Sequence, residues 1–78
     1  MQDELEFFGE WWKILRKYWN PPGRHDHSKA STEFWEGLVR ECRMLPRKYI
    51  NNKLFYPFAG KMSLELVNEI ARRADEMN

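Results

Sequence analysis

The sequence has a single cysteine and no long apolar run, and each shortage argues against a class of protein. A single cysteine among 78 residues cannot form an intramolecular disulfide, which is typical of a reducing compartment. No apolar run approaches the roughly 18 residues of a membrane-spanning helix. The first ten residues are acidic and lack the basic, then apolar, order of a secretion signal. The sequence therefore predicts a cytoplasmic protein that does not enter a membrane.

Catalytic and metal-binding patterns are also missing. No glycine-rich phosphate loop or Ser-His-Asp arrangement is present. Cys42 falls on the apolar face of a predicted helix, where a free cysteine acts as a small hydrophobic residue. His25-Asp26-His27 resembles a metal-binding cluster, but a closed site needs about four fixed ligands and no others stand at motif spacing. We therefore predict no enzyme, no cofactor and no metal ion.

The segment 5–19 is the most aromatic part of the chain, with six of its twelve aromatic residues. Its apolar residues form two adjacent seams, which together fill roughly half of a helix circumference. The first seam consists of Leu5, Phe8, Trp12, Leu15 and Trp19, and the second of Phe7, Trp11, Ile14 and Tyr18. We predict a helix over 3–19, mostly buried along this face by two other helices. Gly9 borders the face and would let another backbone approach closely.

A second helix is predicted over 31–49. Ser31 or Thr32 is expected to cap it, and its apolar residues keep helical phase as far as Tyr49. Pro46 leaves two alternatives, because proline inside a helix removes a hydrogen bond and clashes with the preceding turn. The helix either ends near Leu45 or continues with a kink at Pro46. The phase of Tyr49 favours the kinked helix.

The third segment also admits two interpretations. Residues 54–60 could be extended and lead to a helix capped by Ser63, or one long helix could begin near Tyr56. Pro57 suits the first turn of a helix, so we predict a helix over 56–76. Three amphipathic helices without strand signals predict an all-α domain over 1–78, either a three-helix bundle or a helical hairpin with a third helix packed across it.

Surplus aromatic surface points to binding of another protein. The stretch 54–58 is more apolar than a loop-to-helix junction requires, and aromatic residues are enriched at interaction hot spots. The partner is either a different protein or a second copy of the chain. The residues predicted to anchor it are Trp11, Tyr18, Phe55 and Tyr56.

Nucleic-acid binding is the alternative function. The net charge of +1 does not indicate it, but basic residues are concentrated at the ends of the first two helices, where the helix dipole also favours them. If these ends approach each other, they form one basic surface. Its members would be Lys13, Arg16, Lys17, Arg40, Arg43, Arg47 and Lys48.

A set of aromatic landmarks spread over most of the chain carries a loose resemblance. The landmarks are Glu10-Trp11-Trp12, Lys17-Tyr18-Trp19, Phe34-Trp35-Glu36, Lys48-Tyr49 and Phe58-Ala59. In these the chain resembles short helical proteins encoded by bacteriophages and mobile elements of Gram-positive bacteria. The resemblance implies an accessory protein that binds and modulates a larger host or phage protein, for example as an inhibitor. It assigns no functional residue.

Overall fold

The computed structural model describes residues 2–23 and 25–76, which form three helices. These are α1 (Gln2–Lys17), α2 (Lys29–Arg47) and α3 (Tyr56–Glu76), and all three pack against one another with no strand in the described part of the chain. Phe7 near the start of α1 contacts Tyr49 just after α2, so α1 and α2 are antiparallel. Phe8 contacts Phe58 near the start of α3, so α1 and α3 run parallel. The predicted all-α three-helix bundle is confirmed.

The first helix ends at Lys17, two residues earlier than predicted. The amide of Tyr18 still donates to the Ile14 carbonyl, but that of Trp19 donates to the Arg16 carbonyl, three residues back. The carbonyl of Trp19 accepts a hydrogen bond from Arg73 Nε at 3.2 Å. The end of α1 is therefore fixed to α3 by a side chain far along the chain.

The second helix begins at Lys29, because Ser28 caps it. Ser28 Oγ accepts a hydrogen bond from the Ser31 amide at 3.1 Å, which satisfies one free donor of the first turn. Asp26 supports this cap by accepting from the Ser28 amide at 2.9 Å. The prediction that Ser31 or Thr32 is the cap was wrong, since both lie within the helix and Ser31 is buried.

Pro46 lies one residue before the end of α2. Beyond it the backbone makes three-residue turns, with the Tyr49 amide donating to the Pro46 carbonyl at 3.0 Å. The helix therefore passes Pro46 and ends at Arg47, between the two predicted alternatives. Tyr49 nevertheless reaches the core, where it is 3% exposed. The bounds of α3 coincide with the predicted 56–76.

Aromatic rings fill the end of the bundle where α1 and α3 begin. Phe7 is fully buried and meets Tyr49 and Phe55 edge to face, with ring centroids 5.8 and 5.4 Å apart. Such edge-to-face contacts stabilise the fold by more than the free energy expected from their buried area alone. Farther along, the core is mostly aliphatic, and Tyr18 lies at its other end against Phe34. Its aliphatic side chains include Ile14, Leu15, Leu38, Leu45, Leu66 and Ile70, together with Cys42.

Candidate protein-binding surface

Two of the four predicted anchors, Tyr18 and Phe55, are buried, with 6% and 7% of their surface exposed. The Tyr18 ring packs edge to face on Phe34, and its hydroxyl donates to the Glu41 carboxylate. Phe55 lies between Phe7 and Tyr49. Both residues are therefore core residues, and their assignment to a contact surface was wrong.

The other two predicted anchors, Trp11 and Tyr56, remain accessible. Trp11 is half-buried, and its indole Nε1 donates to the Met62 carbonyl at 2.9 Å, joining α1 to α3. Tyr56 is 37% exposed at the first residue of α3. It precedes Phe58 by two positions, so the two side chains leave the helix about 200° apart. Tyr56 therefore does not belong to the surface around Phe58.

Four exposed apolar side chains from α1 and α3 form what we call the aromatic patch: Leu5, Phe8, Trp12 and Phe58. Their exposed fractions are 77%, 38%, 55% and 44% in that order. The first three share one face of α1 at spacings of three and four residues. The Phe8 and Phe58 rings lie 6.0 Å apart and join the two helices. The patch is continuous with the core, since Phe8 also packs on Phe7 at 5.1 Å.

The sequence placed the two seams of α1 correctly but did not show which of them is covered. The seam with Phe7, Ile14 and Tyr18 faces the other helices, whereas the start of the other seam is exposed. Leu5, Phe8 and Trp12 were therefore missed as candidate contacts. Their signal was the width of the apolar face: core-facing helices need a stripe only slightly wider than about 100°, and α1 has roughly twice that.

The seven predicted basic residues do not form one surface. On α1, Lys13 pairs with Glu10 at 3.4 Å, and Lys17 pairs with Glu41 of α2 at 2.9 Å. This second contact holds the pKa of the Lys17 ammonium above its ordinary value. Burial would raise the pKa of Glu41, but hydrogen bonds from Tyr18 and Lys17 outweigh it and lower that pKa. Lys13 and Lys17 are thus compensated within the protein, whereas Arg16 lies 5.7 Å from the Trp19 ring centroid and has no ion pair among the described residues.

Three of the α2 residues do lie together. Arg40, Arg43 and Arg47 line one surface depression with Trp35 and neighbouring residues of α2. None of the three forms an ion pair with a carboxylate among the described residues. Lys48 lies apart from them in the turn after α2, where it borders a depression with Asp3 of α1. The structure therefore reduces the basic surface to three arginines.

A shallow apolar groove separates α2 from α3. Val39 and Pro46 line one wall, Leu64 and Val67 line the other, and Cys42 lies within it. Burial raises the pKa of the Cys42 thiol to about 11, so the side chain is uncharged at neutral pH. Because the thiolate is the reactive form, Cys42 is not an activated nucleophile.

Metal-ligating side chains do not come together in the described part of the chain. Residues 2–23 and 25–76 contain no group of three histidine, cysteine or acidic side chains arranged to hold a metal ion. Asp26, the acidic member of the histidine-rich loop, accepts a hydrogen bond from the Ser28 amide, and this bond lowers the pKa of its carboxyl group. No side-chain polar atom buried among these residues lacks a hydrogen-bond partner.

None of the three described helices combines the length and the hydropathy of a membrane-spanning segment. The chain was also compared with known proteins. No protein family, curated protein or solved structure matches it.

Proposed function

We propose that the chain is a protein-binding module and that the aromatic patch is its contact surface. The observation that carries this proposal is the exposure of four large apolar side chains in one continuous area. Exposing such side chains to water costs roughly 25 cal/mol for each Å² of apolar surface, and a partner that covers them recovers this free energy. Contiguous apolar areas of this kind mark interaction sites.

The chemistry of the patch suits a contact surface. Trp12 is the largest of its side chains, and tryptophan is among the residue types enriched at interaction hot spots. Phe8 is held between Phe7, Trp11 and Phe58, so it loses little conformational freedom when a partner binds. Phe8 is therefore preorganised in the free protein.

This surface replaces the anchors proposed from the sequence. Trp11 borders the patch, because its ring packs against that of Phe8 with the centroids 6.4 Å apart. Tyr56 faces another direction and has no part in the contact. The accessory role implied by the resemblance to phage and mobile-element proteins is included in the proposal: the partner is then a larger host or phage protein.

The test uses a photo-crosslinking amino acid, p-benzoylphenylalanine, in place of Trp12. A matched control carries it in place of Ile50, which is 58% exposed in the turn after α2 and lies outside both the patch and the depression with the three arginines. Each variant is expressed in the source cell and irradiated, and the cross-linked proteins are identified by mass spectrometry. We expect a defined cross-linked polypeptide from position 12, either this chain or another, and none from position 50.

Two outcomes contradict the proposal. One is that position 12 gives no cross-linked product. The other is that both positions give the same products in the same yield, which indicates nonspecific adhesion. Circular dichroism of both variants checks that the helices are intact.

The three arginines of α2 favour nucleic-acid binding as a second candidate function. Arginine without an internal ion-pair partner is available to bind phosphate, and Trp35 beside the three could stack on a base. The test is a titration with single- and double-stranded oligonucleotides at two salt concentrations. Binding that weakens with salt, and weakens further in Arg43→Gln and Arg47→Gln, supports this function. Absent or salt-insensitive binding eliminates it.

A further inference from the structure

The apolar groove between α2 and α3 adjoins the depression with the three arginines, since Val39 and Arg43 line both. We propose that the two together bind an amphipathic helix of another protein. The apolar stripe of that helix lies in the groove, and its acidic residues pair with Arg40, Arg43 and Arg47. This surface goes beyond the proposed function, because no residue of the aromatic patch lines it and it takes a partner of different chemistry.

The groove is apolar and open to water. Its volume is about 340 Å³, and its walls include Val39 and Pro46 of α2 and Leu64 and Val67 of α3. Val39 and Leu64 are exposed. Arg43 is the one charged residue among those that line the groove. A ligand that fills it must therefore present apolar side chains.

The length and the walls of the groove suit a helix. The α2 wall extends from Val39 to Pro46, or about 10 Å at roughly 1.5 Å for each residue. Apolar side chains at positions i, i+4 and i+7 of a ligand helix cover the same distance. Both walls are helices, whose backbone groups bond within the helix rather than to a ligand. The ligand must therefore satisfy its own backbone hydrogen bonds, as a helix does.

The α2 side of the groove is basic. Arg40, Arg43 and Arg47 follow one another at steps of three and four residues, where like charges on a helix repel. All three are exposed, and none has an ion pair in the described part of the chain. Glu36 is the one acid that lines their depression, so three arginines against one glutamate leave an excess of two positive charges. Acidic residues beside the apolar stripe of a ligand helix neutralise this excess.

A helix accounts for more of this surface than a nucleic acid does. Phosphate groups would neutralise the three arginines, but a phosphate backbone has no apolar side chains for Val39, Leu64 and Val67. An acidic amphipathic helix covers the groove and the arginines at once. Nucleic acid is therefore the competing outcome of the test.

Gly60 leaves room in the groove that it lines. It is half-buried inside α3, where glycine is a less favourable helix former than alanine. A Cβ atom built on it meets nothing within 4 Å and its φ is not positive, so neither packing nor backbone geometry within the chain requires glycine. Gly9 in α1 is equally unobstructed, and the close backbone approach expected there from the sequence is not made by α2 or α3. Because Gly9 lies outside the groove, it is a matched control.

The first experiment tests the charge of the ligand by fluorescence anisotropy. The probes are fluorescein-labelled peptides of about 15 residues, each held helical by a hydrocarbon staple opposite its leucines. The acidic peptide has leucine at i, i+4 and i+7 with glutamate beside them, and the basic peptide has lysine in place of every glutamate. We expect the acidic peptide to bind at least tenfold more tightly, because the basic one meets three arginines of its own sign. Arg43→Glu combined with Arg47→Glu should reverse this preference.

The second experiment locates the bound peptide. Gly60→Gln places an uncharged side chain in the groove, and Gly9→Gln makes the same change on α1. Both variants gain helix propensity, so circular dichroism should show intact helices and a raised melting temperature in each. We expect Gly60→Gln to weaken binding of the acidic peptide at least tenfold and Gly9→Gln to leave it unchanged.

The inference is overturned if the acidic peptide does not bind at about 1 mM, or binds no more tightly than the basic one. It is also overturned if the arginine variant keeps the preference of the wild type, or if Gly60→Gln binds as the wild type does. A fluorescein-labelled single-stranded oligonucleotide that binds more tightly than the acidic peptide would assign the arginines to nucleic acid instead. None of these results decides the proposed function, because Trp12 lies outside the groove and its cross-linking is measured separately.

Discussion

The hydroxyl of Tyr18 occupies the space in which a side chain at position 37 would begin. A Cβ atom built on Gly37 would lie 2.8 Å from Tyr18 Oη. The ring cannot move freely away, because it packs on Phe34 with centroids 5.0 Å apart and its hydroxyl donates to Glu41. Close packing between α1 and α2 thus depends on the absence of a side chain at this position.

Gly37→Ala is therefore expected to destabilise the protein, although alanine is the better helix former. The substitution gains roughly 1 kcal/mol of helix propensity but displaces a hydrogen bond to a carboxylate, worth about 1.5–3 kcal/mol, and the ring contact. We expect a net loss of about 1–2 kcal/mol in the free energy of unfolding, measured by urea denaturation. A stability equal to or above that of the wild type would show that Tyr18 rearranges without cost. Gly9→Ala and Gly60→Ala are the controls.

Phe7 and Phe8 are neighbours in the sequence with opposite roles. Phe7 is fully buried, so Phe7→Ala should lower the free energy of unfolding by about 3–5 kcal/mol, a large share of the stability of a small domain. Phe8 is 38% exposed, and Phe8→Ala should cost about 1 kcal/mol while impairing partner binding. Urea denaturation and cross-linking at position 12 separate the two effects. Equal losses of stability would contradict the burial of the two rings.

Arg73 connects α3 to the end of α1. Its guanidinium lies 4.0 Å from the Trp19 ring centroid, and its Nε donates to the Trp19 carbonyl. Lysine cannot reproduce both contacts, so Arg73→Lys is expected to cost about 1 kcal/mol and to change the fluorescence of Trp19. Arg72→Lys is the control, because the ion pairs of Arg72 are with Glu69 and Glu76 of its own helix. The interpretation fails if both variants behave alike.

Alkaline pH should destabilise the fold through two buried groups. Burial raises the pKa of Cys42 from 9.0 to about 11, and burial with the hydrogen bond to Glu6 raises that of Tyr49 from 10.0 to about 12. Both groups hold their protons more tightly when folded, so the unfolded chain loses protons first. Their contribution to stability is complete below about pH 9 and is lost as the pH rises toward 12.

Urea midpoints measured between pH 8 and pH 11 check this expectation. The midpoint should fall steadily with pH in the wild type. The fall should be shallower in Cys42→Ala and in Tyr49→Phe, since each variant removes one of the titrating groups. A flat profile in the wild type, or an undiminished fall in both variants, would contradict it.

Most of the architecture follows from local sequence signals. Apolar periodicity and the prolines are enough to predict three helices and the bounds of α3. The errors lie at the ends of the other helices. At the start of α2 the cap is a nearby residue, Ser28, which Asp26 supports. At the end of α1 a distant residue decides, because the Trp19 carbonyl accepts a hydrogen bond from Arg73, 54 residues along the chain.

The aromatic patch was less predictable because it depends on how α1 is rotated in the bundle. Periodicity shows that Phe7 and Phe8 are both on the apolar face, but only the positions of α2 and α3 make Phe7 buried and Phe8 exposed. The prediction that the basic residues form one surface depended on packing in a similar way. Lys17 is close to Glu41 in space but 24 positions away in the sequence, and only the packing of α1 against α2 brings the two charges together.

The burial of Cys42 gives the protein an internal reporter of its own fluctuations. It is the only cysteine and is 5% exposed in the groove between α2 and α3, so we expect it to react with a thiol reagent much faster when these helices separate. When reclosing outpaces the reaction, the labelling rate relative to a free thiol gives the equilibrium constant of that opening. The α2–α3 contact can thus be followed in unmodified protein, apart from α1 and its exposed face.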